Sequence, residues 1–436
     1  MTKEAMPNAR STPKPGATTA PAHSTDRPAE QAFGWALHWV YPHARVLPLA
    51  QGTTTIGRDA GVECVLEDDQ VSRKHSAIVV SGAACRVVDL GSSNGVSVDG
   101  KRIRDVSAGD GSIVRVGGTL GVVVYGPKST APPRVLGAAE GRTYIGSSKL
   151  EHALERAAVL APLPHALLVR GASGSGKELV AERLHAASGR SGKYVTLNCA
   201  RLQPNLAASE LFGHVKGAFS GAVGDARGAV RNAAGGTLFL DEIAELDPGV
   251  QAQLLRFLER GEVTPLGGRT EAVSTRVVSA THADLPALAA RGIFREDLYY
   301  RLAVHVLELP ALAARKEDIV ALFEHFAGRP RERLSPGFVS ELLLAAWPGN
   351  VRELKNLATR LRAEHATADV WSHHLLGLDR RSSEPPARVY DAESMSREDW
   401  AELFRAHGSN AAAVARAIGV SPATVKRYVA KFGLKA

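Results

Sequence analysis

The spacing of apolar residues divides the middle of the chain into two regions. From 33 to 126, β-branched runs alternate with turns rich in Gly, Ser and Asp; the runs are TTTIG (53–57), SAIVV (76–80), CRVVDL (85–90) and TLGVVVYG (119–126). This pattern predicts an all-β domain. From 137 to 378, amphipathic segments separate the apolar runs HALLVRG (165–171), YVTLNC (194–199), GTLFLDE (236–242) and RVVSAT (276–281). Such runs are typical of strands buried in a parallel α/β sheet.

Polar and proline-rich segments bound these two regions. Residues 1–32 are rich in Pro, Ala, Ser and Thr, and they lack the apolar surface that would offset the entropy of ordering, which predicts a disordered tail. PKSTAPPR indicates a linker over 127–136, and RRSSEPPAR indicates a second linker over 379–393. Residues 394–436 have a helical pattern. We therefore predict a multidomain protein with an all-β, an α/β and a small all-α domain.

The composition limits the cellular setting and the partners. Hydrophobic residues are 44% of the chain and charged residues 22%, as in soluble domains with real cores. No apolar run approaches the roughly 20 residues of a membrane span, and no secretory signal is visible, so no membrane partner is expected. Cys64, Cys85 and Cys199 lie far apart, which indicates reduced core residues of a cytoplasmic protein. The formal net charge of +8 favours a polyanionic partner.

A glycine-rich turn joins a predicted strand to a predicted helix in VRGASGSGKELVAERLH. Its GxxxxGK core presents backbone N–H groups and a helix N-terminus to phosphates, and Lys177 would reach the β- and γ-phosphates of ATP. The alternative is a glycine-rich surface turn with an exposed lysine. Ser or Thr usually follows the lysine, but here Glu178 does, so Mg²⁺ would depend on phosphates, water and other carboxylates. The ATP-binding residues predicted from this loop are Gly171, Ala172, Ser173, Gly174, Ser175, Gly176, Lys177 and Glu178.

Two acidic residues follow the run GTLFL. Asp241 and Glu242 would emerge at the carboxyl edge of the sheet, where open α/β sheets bind ligands. Asp241 is the natural Mg²⁺ partner, and Glu242 is the natural group to polarise the attacking water. Acids at a helix N-terminus are the alternative.

Together these motifs make residues 137–378 resemble the AAA+ domain of sigma-54-dependent bacterial transcription activators. The phosphate loop GASGSGKE, the nucleotide-sensing segment LNCARL, the arginine-finger segment GIFREDLYYRL and the second sensor WPGNVRELKNL all match that group. The resemblance implies a P-loop ATPase with a helical lid, active as a hexamer. It also implies that Asn198 senses nucleotide by pairing with Glu242.

The arginine-finger segment contains Arg295 and Arg301. An arginine donated to a neighbour's γ-phosphate would stabilise charge in the transition state, which requires a ring. Either arginine could instead form a surface ion pair with Glu296 or Asp297. Arg352 could read the phosphates of its own subunit or pair with a nearby acid such as Glu353.

The segment ELFGHVKGAFSGA resembles the loop with which these activators contact sigma-54. Its glycines allow large backbone changes, and Phe219 would supply an apolar contact; a tight turn with Phe219 in the core is the alternative. Three departures stand out. Ser220 replaces the usual threonine, Arg231 replaces a glutamate near the phosphate site, and His282 replaces the commonest asparagine of the first sensor but can still donate a hydrogen bond. The implied sigma-54 contact residues are Gly217, Ala218, Phe219, Ser220, Gly221 and Ala222.

The all-β region carries a second constellation in IGRD, SRKHSAI and LGSSNGVSVDGKRI. It resembles the forkhead-associated (FHA) domain, a β-sandwich whose loops bind phosphothreonine peptides, and an ordinary Asn–Gly hairpin turn is the alternative for SSNG alone. His75 is expected to link loops by hydrogen bonds. The implied phosphopeptide residues are Arg58, Ser72, Arg73 and Asn94. A Ser/Thr kinase would create the ligand on another protein or on the chain's own tail, at Thr12, Thr18, Thr19 or Thr25.

The C-terminal segment resembles the Fis-type helix-turn-helix of the same activators. Gly419 permits the turn, and Ser421 and Pro422 start the second helix. Its basic residues suit the phosphates of double-stranded DNA, and a basic helix packed on the ATPase is the alternative. The predicted DNA contacts are Ala423 and Thr424 with base edges and Lys426 and Arg427 with phosphates.

The motifs therefore predict an ATP-hydrolysing activator that binds enhancer-type DNA, senses a phosphothreonine signal and remodels sigma-54 RNA polymerase. ATP and Mg²⁺ are the expected cofactors. A DNA-bound, phosphopeptide-binding repressor or adaptor without productive sigma-54 contact is a second hypothesis. A generic AAA+ machine such as an unfoldase is a third.

Overall fold

The computed structural model describes residues 33–127, 131–139 and 142–376, together with four single helical positions, Trp400, Val414, Val425 and Val429. Among these residues, no helix has both the length and the apolar character needed to span a membrane. The predicted tail, the second linker and nearly all of the helix-turn-helix lie outside the described residues. Those three assignments therefore remain predictions.

Residues 33–127 form a β-sandwich, which confirms the predicted all-β domain. One sheet has the order β2-β1-β11-β10-β7-β8 and the other the order β4-β3-β5-β6-β9. Their inner faces enclose an apolar core that includes Leu37, Trp39, Ile56 and Ile78. The strands are β1 Phe33–Tyr41, β2 Arg45–Leu49, β3 Gly52–Gly57, β4 Cys64–Val65, β5 Ser76–Ser81, β6 Ala84–Asp89, β7 Val96–Val98, β8 Lys101–Ile103, β9 Asp105–Ser107, β10 Ile113–Val116 and β11 Thr119–Pro127.

The predicted linker over 127–136 is wrong at its end. Strand β12 (Arg134–Ala139) pairs with β13 (Arg142–Gly146), and Val135 lies opposite Ile145. Leu136 packs against the apolar core that contains Tyr144. Pro132 and Pro133 favour a linker, but strand β12 begins at the next residue, so the proline signal does not reveal the hairpin.

A parallel sheet of five strands, in the order β15-β16-β19-β14-β20, forms the centre of the next domain. All four apolar runs of the sequence are strands of this sheet, which confirms the α/β prediction. The strands are β14 Leu167–Arg170, β15 Tyr194–Asn198, β16 Thr237–Asp241, β19 Arg276–Thr281 and β20 His305–Glu308, and a separate hairpin joins β17 Glu262–Val263 to β18 Glu271–Ala272. The helices are α1 Ser148–Leu160, α2 Lys177–Ala186, α3 Ala207–Phe212, α4 Gly228–Asn232, α5 Pro248–Arg260, α6 Leu285–Ala290 and α7 Glu296–Leu302.

Three further helices form a lid over the carboxyl edge of this sheet. They are α8 Ile319–Ala327, α9 Pro336–Leu344 and α10 Asn350–Glu364. Phe323, Phe338 and Trp371 pack ring against ring in the lid core. That core is continuous with apolar residues of the β-sandwich, including Val40 and Val122. The sandwich therefore rests directly on the lid.

Candidate functional site

A cleft of about 1090 Å³ lies between the lid and the carboxyl edge of the parallel sheet. The turn after β14, the ends of β15 and β16, and the lid helices α8 and α10 border it. Topology explains its place, since parallel strands deliver their carboxyl ends to one edge. The predicted ATP-binding residues from Ser173 to Glu178, together with Asn198, Asp241, Glu242 and Arg352, all line this cleft.

The phosphate loop has the backbone geometry that its glycines predict. Gly174 and Gly176 have φ of 73° and 106°, in the left-handed region. A Cβ on Gly174 would stand 2.4 Å from the carbonyl oxygen of Gly349 in the lid, so only glycine fits there. Helix α2 begins at Lys177, directly after the loop, so its N-terminus borders the cleft, where it suits an anion.

Lys177 lies at the floor of this loop. Its ammonium group donates to the carbonyl oxygens of Gly171 and Ala172 at 3.0 and 3.4 Å, and stands 3.6 Å from Glu242 Oε1. Ser175 Oγ is buried without a hydrogen-bond partner among the described residues. A buried cation and an unpaired hydroxyl at the start of a helix fit a bound phosphate chain.

Arg352 lies at the lid side of the same loop. Its guanidinium is 3.4 Å from Ser173 Oγ, whereas Glu353 accepts a hydrogen bond from the Gly349 N–H at 2.8 Å. Asn350 Nδ2 also donates to the carbonyl of Ser173 at 3.0 Å. The lid therefore contacts the phosphate loop directly. Arg352 faces that loop and does not pair with Glu353.

Several residues of the cleft lie outside the predicted ATP-binding set. Arg315 is buried, and its guanidinium is 3.3 Å from the carbonyl of Ser175 and 3.4 Å from Asp318. Arg315 stands in the segment LPALAARKEDI, 140 residues beyond Ser175 in the sequence. The cleft is also lined by apolar and aromatic side chains from strand β13 and the lid, which suit a nucleotide base: Tyr144, Ile145, Leu322, Phe326 and Val351.

The two acidic residues have different partners. Asp241 ends β16, and Asn198 Nδ2 donates to its Oδ2 at 3.2 Å. This corrects the expectation that Asn198 pairs with Glu242. Glu242 has φ of 51°, and its Oε2 lies 2.7 Å from His282 Nδ1, at the end of β19. Because adjacent residues at the end of a strand point in different directions, the two carboxylates have different partners. The Asn198 amide binds Asp241, and the His282 imidazole binds Glu242.

The closeness of Asp241, Glu242 and Lys177 affects the pKa values of the ionisable groups around them. Burial, and then the charge of Glu242, raise the pKa of Asp241 above its usual range, although Lys177 opposes the rise. Burial and the two carboxylates raise the pKa of the Cys199 thiol to about 12, so Cys199 stays protonated. A cation near Asp241 would relieve the repulsion. The carboxylate donors of Asp241 and Glu242, beside the phosphate loop, therefore fit a Mg²⁺ ion bound with a nucleotide.

The two candidate arginine fingers lie outside the cleft of their own chain. Arg295 pairs with Asp297 at 2.8 Å, which is the surface ion pair considered as its alternative. Arg301 donates from Nε to the carbonyl of Leu258 at 3.2 Å. Neither contacts the phosphate loop, so any contact with a nucleotide would have to be made in a neighbouring subunit.

The GAFSGA loop is a compact turn between residues 213 and 227. His214 and Ala226 pair at its base, and Gly217 and Gly221 have φ of 82° and 107°. Phe219 is half-buried, with its ring edge against His214 at 5.0 Å between centroids. Among the six predicted contact residues, Ser220 is exposed but Ala222 is buried. Val223, just beyond them, is 89% exposed and is the more prominent apolar side chain.

Arg231 lies at the base of this loop and not beside the phosphates, which corrects its expected place. Its guanidinium donates to the carbonyls of Arg227 and Ala226, at 2.6 and 3.0 Å, and pairs with Glu271 at 3.0 Å. Glu271 belongs to the hairpin β17–β18. Arg231 therefore joins one leg of the loop to that hairpin.

In the β-sandwich, the predicted phosphopeptide residues lie on adjoining loops. His75 is fully buried; its Nδ1 accepts from the Ser72 N–H at 2.9 Å and its Nε2 is 3.2 Å from the Gly95 carbonyl, which confirms its expected role in linking loops. Asn94 Nδ2 donates to Gln70 O at 2.7 Å. Arg58 and Arg73 are exposed beside them. The predicted DNA contacts Ala423, Thr424, Lys426 and Arg427 lie outside the described residues.

Comparison with known proteins places three family models on the chain. They are the sigma-54 interaction domain over residues 144–308, the AAA+ ATPase lid domain over 313–387 and the FHA domain over 54–117. The lid match begins just before α8. The FHA match covers the loops around His75.

Similar proteins and solved structures indicate the same family as these models. The transcriptional regulatory protein ZraR of Salmonella typhimurium is 47% identical over 226 residues, and the chain spans about half (51%) of its length. The Psp operon transcriptional activator of Escherichia coli K12 is 46% identical over 226 residues, which are 50% of this chain and 70% of that protein. The crystal structure of NtrX from Brucella abortus in complex with ATP matches at a TM-score of 0.50 and 31% identity, covering 67% of this chain and 70% of that one. The chain therefore belongs to the sigma-54-dependent transcriptional regulators, as a member that carries an FHA domain beside its sigma-54 interaction domain and AAA+ lid.

Proposed function

We propose that this chain hydrolyses ATP in a ring of like subunits and uses the energy to remodel sigma-54 RNA polymerase at a promoter. The observation that carries the proposal is the cleft in which Lys177, Asp241 and Glu242 meet beside a glycine-rich phosphate loop. The family membership supports the same reaction. Mg²⁺ would be held by Asp241 and the phosphates, and it would neutralise charge on the phosphoryl oxygens.

The residues of the cleft have separable roles in this reaction. Lys177 and the loop N–H groups hold the phosphates, and Arg352 and Arg315 connect that loop to the lid. Glu242 accepts the proton of the attacking water, and His282 orients its carboxylate. Arg295 and Arg301 act on the nucleotide of the adjacent subunit. A hexamer is the ring that the family resemblance implies.

The GAFSGA loop transmits the nucleotide state. Its base is joined to α3 and to the hairpin β17–β18 by backbone bonds, among them the Val215 N–H to the Leu266 carbonyl at 3.1 Å. Phe219 rests against His214 in this conformation and would be released to contact sigma-54. Val223 is already exposed and extends the same apolar surface.

The loops of the FHA domain regulate the ATPase in this proposal. Arg58, Ser72, Arg73 and Asn94 present guanidinium, hydroxyl and amide donors on an exposed surface, which suits a phosphothreonine peptide. The peptide would come from another protein or from the chain's own tail after the action of a Ser/Thr kinase. The basic segment at 421–435 would hold the protein on enhancer-type DNA.

The proposal is tested by reconstituted transcription with sigma-54 RNA polymerase and a supercoiled template carrying a sigma-54 promoter. The parent chain should give ATP-dependent open complexes. E242Q should bind ATP but lose hydrolysis and open complexes, because it lacks the base, whereas F219A should keep hydrolysis and lose open complexes. R58A should lose only the response to kinase, and R86A, an exposed arginine elsewhere in the sandwich, is its control.

Open complexes that form without ATP, or survive in F219A, would contradict the proposed mechanism. A DNA-bound repressor or adaptor would instead bind the template and hydrolyse ATP with no open complex in any variant.

A further inference from the structure

The outer face of one FHA sheet is covered by the lid. Val40, Val122 and Val124 are at most 2% exposed and belong to the same apolar cluster as helices α8 and α9. Their neighbours along the strands, Trp39 and Val123, belong to the inner core of the sandwich. A sandwich that stood alone would carry polar residues on its outer face. Strands β1 and β11 are therefore suited to burial on both sides.

Polar contacts attach the sandwich to the lid. The Tyr41 hydroxyl donates to the carbonyl of Leu334 at 2.8 Å, in a buried position. Arg331, which pairs with Glu324 inside the lid, donates to the carbonyl of Val40 at 2.9 Å. Both bonds satisfy backbone carbonyls at this contact, where an unpaired group would be costly.

A second anchor joins the sandwich to the ATPase core. Lys149, at the second position of α1, has its ammonium 2.8 Å from both carboxylate oxygens of Asp110 in the sandwich. The Lys149 side chain is 13% exposed and that of Asp110 is 42% exposed, so only the lysine end of this pair is shielded from water. Lys149 also donates to the carbonyl of Ala314 at 2.7 Å, at the start of the lid region.

The sandwich therefore contacts both bodies that border the nucleotide cleft. Leu150, next to Lys149 in α1, lines the cleft from the core side, and Leu322 of α8 lines it from the lid side. A movement of the lid relative to the core must break or shift one of the two anchors. The phosphopeptide residues Arg58 and Asn94 are exposed and belong to neither contact.

A buried polar cluster extends this connection to the phosphate loop. Asp318 accepts from the Ser147 N–H at 2.7 Å, just before α1, and pairs with Arg315 at 3.4 Å. Arg315 in turn reaches the carbonyl of Ser175 in the phosphate loop. The turn over 316–318 thus lies between the sandwich and the phosphates.

We propose that the FHA domain is an intramolecular restraint across the nucleotide cleft: by contacting the lid through Tyr41 and the core through Asp110, it slows opening of the cleft and release of ADP. The proposal rests on the nucleotide site proposed above and names its regulation. Because the phosphopeptide loops stay accessible in this arrangement, a ligand could bind while the restraint is in place.

The test is the release rate of the fluorescent analogue mant-ADP from the full chain, chased with excess ADP. D110N should release mant-ADP about threefold faster than the parent, since Asn keeps the acceptor for the Tyr125 N–H but loses the charge that holds Lys149. The matched control is D105N, which breaks the exposed pair of Asp105 with Arg86 elsewhere in the same domain and should leave the rate unchanged.

A second variant tests the other anchor. Y41F removes only the hydroxyl that contacts Leu334, and it should also accelerate release by about threefold. If both anchors are needed for one restraint, the double variant should be no faster than the faster single variant. Independent local effects would instead multiply to about ninefold.

Equal rates for D110N, D105N and the parent would overturn the restraint, as would slower release in D110N or multiplicative rates in the double variant. The assay contains no polymerase and no DNA, so a failure to activate transcription leaves its result intact. A parent chain that does not bind mant-ADP would overturn the nucleotide site and the restraint together.

Discussion

His282 shows how one side chain can take over a position usually held by another residue type. Its Nδ1 lies 2.7 Å from Glu242 Oε2, and the backbone of Glu242 is in the left-handed region, which costs energy for a residue with a Cβ. A residue held in such a conformation depends on its neighbours for orientation. Asn198 does not help Glu242, because its amide is bonded to Asp241.

We expect H282A to lower kcat for ATP hydrolysis by about tenfold or more, with a much smaller change in KM, because orientation of the base acts on the chemical step. H282N should recover part of the loss, since an amide can still donate to Glu242. Steady-state hydrolysis over a range of ATP concentrations measures both constants. H165A, at an exposed histidine outside the cleft, is the control; parental kcat in H282A would show that the histidine does not position Glu242.

At the scale of elements, the junction of α1 with the start of α8 contains a carboxylic acid with an unusual environment. Glu317 is 1% exposed; its Oε1 accepts from Ser147 Oγ at 2.8 Å, and its Oε2 has no hydrogen-bond partner among the described residues. Burial, and then the adjacent Asp318, raise the pKa of Glu317 to about 7. An unpaired carboxylate oxygen in a buried site favours the protonated acid.

This pKa predicts a pH-dependent stability. The folded chain keeps the Glu317 proton up to about pH 7, whereas the unfolded chain loses it near the ordinary value of 4.5, so this residue's contribution to stability falls as pH rises between the two values. E317Q, which stays neutral, should raise the free energy of unfolding by about 1–3 kcal/mol at about pH 8 and by much less at about pH 5.

Urea unfolding at the two pH values measures this difference, with E296Q at an exposed position of α7 as the control. An equal effect of E317Q at both pH values would mean that Glu317 is ionised throughout.

At the scale of the whole molecule, the proposal that Arg301 acts on a nucleotide requires a neighbouring subunit, because Arg301 does not line the cleft of its own chain. R301A and E242Q should each hydrolyse ATP poorly as homogeneous preparations. When the two are mixed in equal amounts, about one quarter of the subunit junctions would pair an intact Glu242 with an intact Arg301, so activity should reappear. The measurement is hydrolysis as a function of mixing ratio.

The matched control is a mixture of E242Q with a double variant that carries both substitutions, which can form no intact junction. If the R301A mixture is no more active than this control, Arg301 does not act in trans.

Local motifs made much of this architecture predictable. The strands of the β-sandwich and of the parallel sheet, and the phosphate loop, could be predicted because each depends on residues within a few positions of one another. The φ of Gly174 and the start of α2 at Lys177, for example, are local consequences of the glycines. The loop-linking role of His75 was also predictable, because Ser72 is three residues away.

Other features could not be predicted because their partners are distant in sequence. Asn198 and Asp241 are 43 residues apart, and the hydrogen bond of Asn350 with the phosphate loop joins positions 177 apart. The run TLGVVVYG carries a signal beyond that of a strand, because its unbroken apolar character suits burial on both faces, as observed for β11.

The sequence by itself determined the order of the domains, the position of the phosphate loop and the chemical types of the candidate residues, because these depend on local backbone preference and on contiguous motifs. Only the tertiary structure decided that Glu242 is held by His282, that Arg231 joins a loop to a hairpin and that Arg315 reaches the phosphate loop. It alone placed the sandwich against both the lid and the core. The physical reason is that each of these contacts depends on how distant elements pack, and side chains with several possible partners bond to whichever one packing brings within reach.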